Sequence, residues 1–264
     1  METIGLVIAY DGTPFVGWQH QAGSRSIQGC LEEALTKIHG VSTGVRAASR
    51  TDAGVHAEWQ VAAFDTTRDY SPERWRMALN ALTPPEILVR HAIKVPDGFQ
   101  PRFESRGKHY RYWLYPGYYV PPFWRNRAAQ TRPLDINRMQ KAARYLLGEH
   151  DFSAFRAVDC QAKSPVRTIT DIQVSHGPEV YQYPCEQAEF LIQVDVKGTA
   201  FLKQMVRIIV GTLIEFGLGR PPQEMAEILL SKDRTQAGQT APACGLTLVR
   251  AYSPLDDWIT PETR

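Results

Sequence analysis

Along the chain the expected elements run strand, helix, strand, strand, helix, strand, and a similar order then follows again. That order, its short apolar strands and its capped amphipathic helices predict an α+β (mixed α/β) protein. It would be built from two ferredoxin-like (split βαβ) halves with antiparallel sheets joined edge to edge and helices on one face. The halves are expected at residues 1–100 and 101–264, with Pro96–Ser105 as linker. They share no obvious sequence identity, so the duplication is one of elements.

Ile4–Tyr10 is apolar and rich in strand formers, and Tyr10-Asp11-Gly12-Thr13-Pro14 breaks it with turn chemistry. Gly17-Trp18-Gln19-His20-Gln21 reads as an irregular loop. Ser26 can cap a helix to about His39, with Ile27, Leu31, Ala34, Leu35 and Ile38 on one face and Gly40 as its stop. Thr43–Ala48 and Gln60–Asp65 read as strands. Ser71-Pro72 starts a helix that reaches about Leu82, and Ile87–Val95 is the next strand. In the second half Lys108–Tyr115 is a strand. Asp135 caps a helix carrying Ile136, Met139, Ala143, Leu146 and Leu147. Strands follow at Val166–Ser175 and Ala188–Lys197, then a long helix near Phe201–Phe216. A short helix near Gln223–Ser231 and a strand at Leu246–Tyr252 complete the set.

Composition narrows the function. At 264 residues, 43% hydrophobic and 22% charged, the chain suits an ordinary globular protein. No apolar run approaches the roughly 18 residues of a membrane span, and Met1-Glu2-Thr3-Ile4 lacks the basic region of a secretory signal, so no membrane partner is expected. Cys30, Cys160, Cys185 and Cys244 are widely spaced, which fits free thiols in a reducing cytoplasm. The net charge of +2 hides a basic block: Pro101–Arg144 holds ten Lys/Arg against Glu104 and Asp135. Such a block suits a local polyanion contact, and equally a solvated face.

Three stretches can carry chemistry. Ala48-Ser49-Arg50-Thr51-Asp52-Ala53-Gly54-Val55-His56-Ala57 sits between two expected strands, where a scaffold can aim Arg50 and Asp52 into a cleft. Taken alone, Arg-x-Asp is more often a surface ion pair. Lys108-His109-Tyr110-Arg111-Tyr112-Trp113-Leu114-Tyr115 interleaves bases and aromatics, as single-stranded RNA readers do, or packs as an amphipathic strand. Tyr118, Tyr119, Phe123, Trp124, Arg125 and Arg127 continue that theme. Arg207 lies on an otherwise apolar helix, one turn after Lys203. His20 and His56 lack companions at metal-ligand spacing, and no phosphate-binding, dinucleotide-binding or serine-hydrolase motif is present, so no metal or cofactor is expected.

Together these strings resemble the TruA family of bacterial tRNA pseudouridine synthases. Tyr10–Thr13 with Gly17–Gln19 is similar to the family's opening motif, and Ala48–Ala57 to its signature loop, with Ser49 where the family usually carries Gly. Phe99-Gln100-Pro101-Arg102-Phe103 and Lys108–Tyr112 are similar to its RNA-contacting and tyrosine segments. Met205–Gly211 is similar to its basic helix, and Ala241–Leu246 to its closing motif, with Ala243-Cys244 where a second Pro or another small residue is common. The resemblance implies isomerisation of uridines 38, 39 and 40 in the tRNA anticodon stem-loop, with Asp52 as nucleophile and base flipping assisted by Arg50. It implies Tyr110 against the flipped base, Arg207 paired with Asp52, tRNA as partner, and a homodimer. Phe99, Gln100, Pro101, Arg102, Phe103, Lys108, Arg125, Arg127 and Arg132 are the expected RNA contacts. Two other readings stay open. A non-catalytic RNA-binding module explains Lys108–Tyr115 but gives Asp52 no role. A metal-dependent nuclease on Asp52 and His56 lacks the further carboxylates of a metal clamp.

Overall fold

The computed structural model describes residues 1–181 and 189–259. In order they form β1 (Glu2–Tyr10), α1 (Ile27–His39), β2 (Arg46–Ala47), β3 (His56–Thr66), α2 (Pro72–Leu82) and β4 (Ile87–Val95). Next come β5 (Gly107–Tyr115), β6 (Ala129–Gln130), α3 (Ile136–Ala143), β7 (Gly148–Asp151), β8 (Val166–Tyr181) and β9 (Glu189–Gly198). The last are α4 (Met205–Gly217), α5 (Glu224–Ser231), β10 (Leu246–Tyr252) and α6 (Leu255–Trp258). The fold is mixed α+β, with mostly antiparallel strand pairing. Cys185 and the expected strand start at Ala188 lie outside the described residues; Cys30, Cys160 and Cys244 are free thiols. No helix among the described residues is long and apolar enough to cross a membrane.

The chain divides into two compact units, one of Met1–Lys108 with the segment from Thr247, the other His109–Leu246. This differs from a division at residue 100, because β10 and α6 join the first unit. In that unit the strands run β4-β1-β3-β10. β1 pairs antiparallel with β3 and β4, and β10 pairs parallel with β3 at His56–Ala57. β2 joins β3 further along, at Ala62–Ala63, and is shorter than its sequence suggests. The helix ends follow local chemistry. The Ser26 side chain accepts from Gly29 N–H, Gly40 closes α1 in the left-handed region, and Ser71 caps α2 ahead of Pro72.

Strand alternation sorts this first sheet into two faces. Ile4 pairs with Phe64, and Phe64 meets the buried Trp75 of α2 edge-on at 5.0 Å, so this is the face of the long helices. To the expected helices the structure adds α6 on the other face. A side chain at Gly5 would run into Leu255 and Val95. The expected linker is also stitched into this unit. Gly98 N–H donates to Thr3 Oγ1, Phe99 C=O accepts from Arg46, and the Phe99 ring meets Trp258.

The second unit has strand order β5-β9-β8-β7, with β6 alongside β5. Asp135 caps α3 by accepting from Arg138 N–H, and Gln140 bonds back to the β8 backbone at Val174 and Ile172. α3 ends at Ala143 and continues as one 3-10 turn over Arg144–Leu146, which leaves Leu147 exposed. α4 starts at Met205, four residues later than periodicity suggests. Gln204 ahead of it holds a left-handed backbone (φ 60°), which a continuous helix excludes.

Candidate active site

Residues 48–55 link β2 to β3, and the opening motif folds over this link. Tyr10 Oη and Thr51 Oγ1 are 2.8 Å apart, Trp18 N–H donates to Thr51 C=O at 3.0 Å, and Gly54 N–H donates to Phe15 C=O. Thr51 is buried, Asp52 beside it half-buried and Arg50 exposed. Val55 N–H donates to Asp52 C=O, closing a turn in which Gly54 takes φ 77°. The approach is close enough to demand glycine: a Cβ at Gly12 would lie 2.0 Å from Val55 O. His56 is only 3% exposed, and its Nδ1 lies 3.2 Å from both Gly12 N and Asp11 Oδ1. That places His56 in the bracing of the loop.

The second unit holds the other two expected catalytic residues. Tyr110 on β5 is buried, with its ring edge-on to Phe201 at 5.2 Å. Arg207, in the first turn of α4, donates from Nε to Ala241 C=O at 2.8 Å, and its own C=O accepts from Ala241 N–H. The closing motif is thus laid along α4, where a Cβ at Gly211 would sit 1.7 Å from Gln239 O. The motif also reaches β5. Tyr112 Oη donates to Pro242 C=O at 2.6 Å, and Gly245 leaves room for the Tyr112 ring. Burial, first of all, pushes the Tyr112 phenol far above its usual range, so it remains a neutral donor.

The family model described as tRNA pseudouridine synthase matches residues 6–104 and 142–253. The chain belongs to the tRNA pseudouridine synthase family. It is 42% identical over 96% of its length to tRNA pseudouridine synthase A of Ruminiclostridium cellulolyticum, covering all of that protein. It is 44% identical to the protein of that name from Myxococcus xanthus, over 96% of this chain and 92% of the other. For that of Vibrio cholerae the figures are 43%, 95% and 92%. The tRNA pseudouridine synthases are isomerases, and this chain is one of them.

Asp52, Arg50 and Arg207 fall within the stretches matched to the synthase family, whereas Tyr110, Arg125, Arg127 and Arg132 fall between them. The expected RNA contacts divide by exposure. Arg102, Phe103, Arg125, Arg127 and Arg132 are exposed, and Gln100 and Lys108 partly so. Phe99 and Pro101 are buried, with Phe99 2% exposed; they hold the segment from beneath instead of offering side chains to RNA. On β5 the aromatic alternation serves packing. Tyr112, Leu114 and Tyr115 are buried, and Trp113 packs with Trp124. His109 and Arg111, on the face of Trp113 and Tyr115, both bond Asp195, at 2.5 and 3.0 Å. Sequence reasoning missed Thr51, Tyr112 and the two close backbone approaches. Their signal was present as glycines at positions 12, 17, 211 and 245, each inside a family string.

Proposed function

We propose that this synthase converts uridine to pseudouridine at positions 38, 39 and 40 of the tRNA anticodon stem-loop, with Asp52 as nucleophile. What supports the reading is Asp52 on a half-buried turn, braced by the residue 10–18 motif from the same unit. A carboxylate held this way meets its target without first reorganising. The reaction breaks the uracil N1–C1′ bond, turns the base and joins C5 to C1′. Asp52 forms a covalent bond with the sugar or the base ring and is released as the new carbon–carbon bond forms and C5 loses its proton.

A uridine stacked in the anticodon stem must first leave the stack, which costs a few kcal/mol. Arg50, exposed two residues before Asp52, is assigned to that step. Tyr110 is assigned to the flipped base and the C5 proton, and Arg207 is the cation that the resemblance pairs with Asp52. A cytoplasmic homodimer, with the exposed arginines of the basic block on tRNA phosphates, completes the reading. Asp52→Asn keeps shape and removes the nucleophilic charge, so it should abolish isomerisation while tRNA affinity holds within a few-fold. Product formation near the wild-type rate would exclude Asp52 as nucleophile. Mapping pseudouridine in anticodon arms from cells lacking the protein tests the positions.

A further inference from the structure

The connection from β5 to β6 displays three large rings in solvent while anchoring itself with others. Tyr118, Tyr119 and Phe123 are 90%, 88% and 88% exposed. Their chain neighbours Val120 and Trp124 turn inward and pack on Tyr115, Ala128 and Leu191. The backbone of this connection is held in shape. Trp124 N–H donates to Pro121 C=O and Ala128 N–H to Trp124 C=O, while Gln130 Nε2 donates to Gly117 C=O at 3.0 Å. The exposed rings therefore sit on a loop anchored in a small apolar cluster shared with β5 and β9, which Tyr118, Tyr119 and Phe123 do not join.

Charge decides what such rings can meet. From His109 to Leu134 the sequence has four arginines and no acid, and Arg125, Arg127 and Arg132 are exposed. A second copy of the loop, brought up by two-fold symmetry, would set arginine against arginine. An RNA strand answers both features, phosphates to the guanidinium groups and unpaired bases to the ring faces. We propose that Tyr118, Tyr119 and Phe123 form a stacking platform for unpaired bases of the bound tRNA, separate from the reacting uridine. This rests on tRNA as the substrate. It assigns the loop to single-stranded regions, which paired stems cannot satisfy. Tyrosine and phenylalanine lose little side-chain freedom on stacking, so a loop already pinned loses little on binding.

The test is equilibrium binding of full-length tRNA to the full chain carrying three sets of changes. Tyr118→Ala with Tyr119→Ala and Phe123→Ala should weaken binding about five- to hundredfold for each base stacked. Tyr118→Phe with Tyr119→Phe and Phe123→Tyr should bind within about twofold of wild type, because every base-facing ring is kept. Tyr118→Leu with Tyr119→Leu and Phe123→Leu should bind as poorly as the Ala set. The rings carry no charge, so the dependence on salt should keep its slope in all three. Wild-type affinity in the Ala set, or Leu substituting as well as the aromatic swap, would overturn the proposal. So would loss of self-association in sedimentation with tRNA affinity intact, which would make the loop a subunit contact. Binding is read without turnover. Absence of isomerised product would therefore sink the proposed reaction and leave this result standing.

Discussion

Ser49 stands where the family string usually carries Gly, and the backbone explains why serine is tolerated. Among the described residues the non-glycine positions with positive φ are Gln204 and Lys232, so Ser49 needs no glycine freedom. Its C=O accepts from Gln60 Nε2 at 2.7 Å, a bond any residue there can make. Gly12 is the reverse case. Gly12→Ala must push Val55 away, and should cost about 1–3 kcal/mol of stability while slowing isomerisation through a displaced Asp52 turn. Thermal unfolding and a single-turnover assay read the two effects. Tyr110→Phe separates ring from hydroxyl. If the hydroxyl takes part in C5 proton removal, the rate should fall by roughly 10²–10⁴ with affinity kept. Asp52 and Arg50 were legible in the sequence as members of a string. Their bracing by Gly12 and Thr51 was not, because an approach between segments so far apart in the chain leaves no local period.

At the scale of elements, the helices were the most legible. Ser26, Ser71 and Asp135 cap the helices where sequence places them, since a cap is chemistry between neighbours. β5 shows the opposite. Its alternation was readable, but what covers each face depends on partners far along the chain. Asp195 on β9 is the clearest of these. Burial pushes its carboxyl up, but bonds from His109 and Gln193 and the Arg111 charge outweigh this and hold it below the ordinary carboxylate value. A depressed carboxylate stabilises the fold above its unfolded pKa, and the gain is lost as pH falls through the folded one, here from about 4 downwards. Asp195→Asn should cost roughly 1–3 kcal/mol at neutral pH, by leaving half-buried Arg111 without its anion and buried His109 without its carboxylate partner. It should also remove that share of the acid-induced loss. Urea titrations between pH 7 and 3 measure both, and a variant as stable as wild type would show the cluster to be neutral.

For the molecule as a whole, the +2 net charge conceals where the cations are, and exposure ranks them. Arg125, Arg127 and Arg132 are exposed, while Arg111 is bound to Asp195. Replacing the three exposed arginines with Gln should flatten the salt dependence of tRNA affinity by about 0.7–0.9 in log–log slope for each phosphate left without its cation. An unchanged slope would make the basic block a solvated face. The two-part organisation was legible from the repeated element order, but the allegiance of β10 was not, since a strand's sequence does not name its neighbour. That allegiance matters on the ribosome. Most of the first unit precedes the second in the chain, yet β10, which pairs with β3 at His56–Ala57, and the Leu255 cover for Gly5 are translated only after the second unit. Until then the nascent first unit carries an unpaired stretch of β3 edge and an uncovered patch over Gly5, so its closure waits for the segment that follows the second unit.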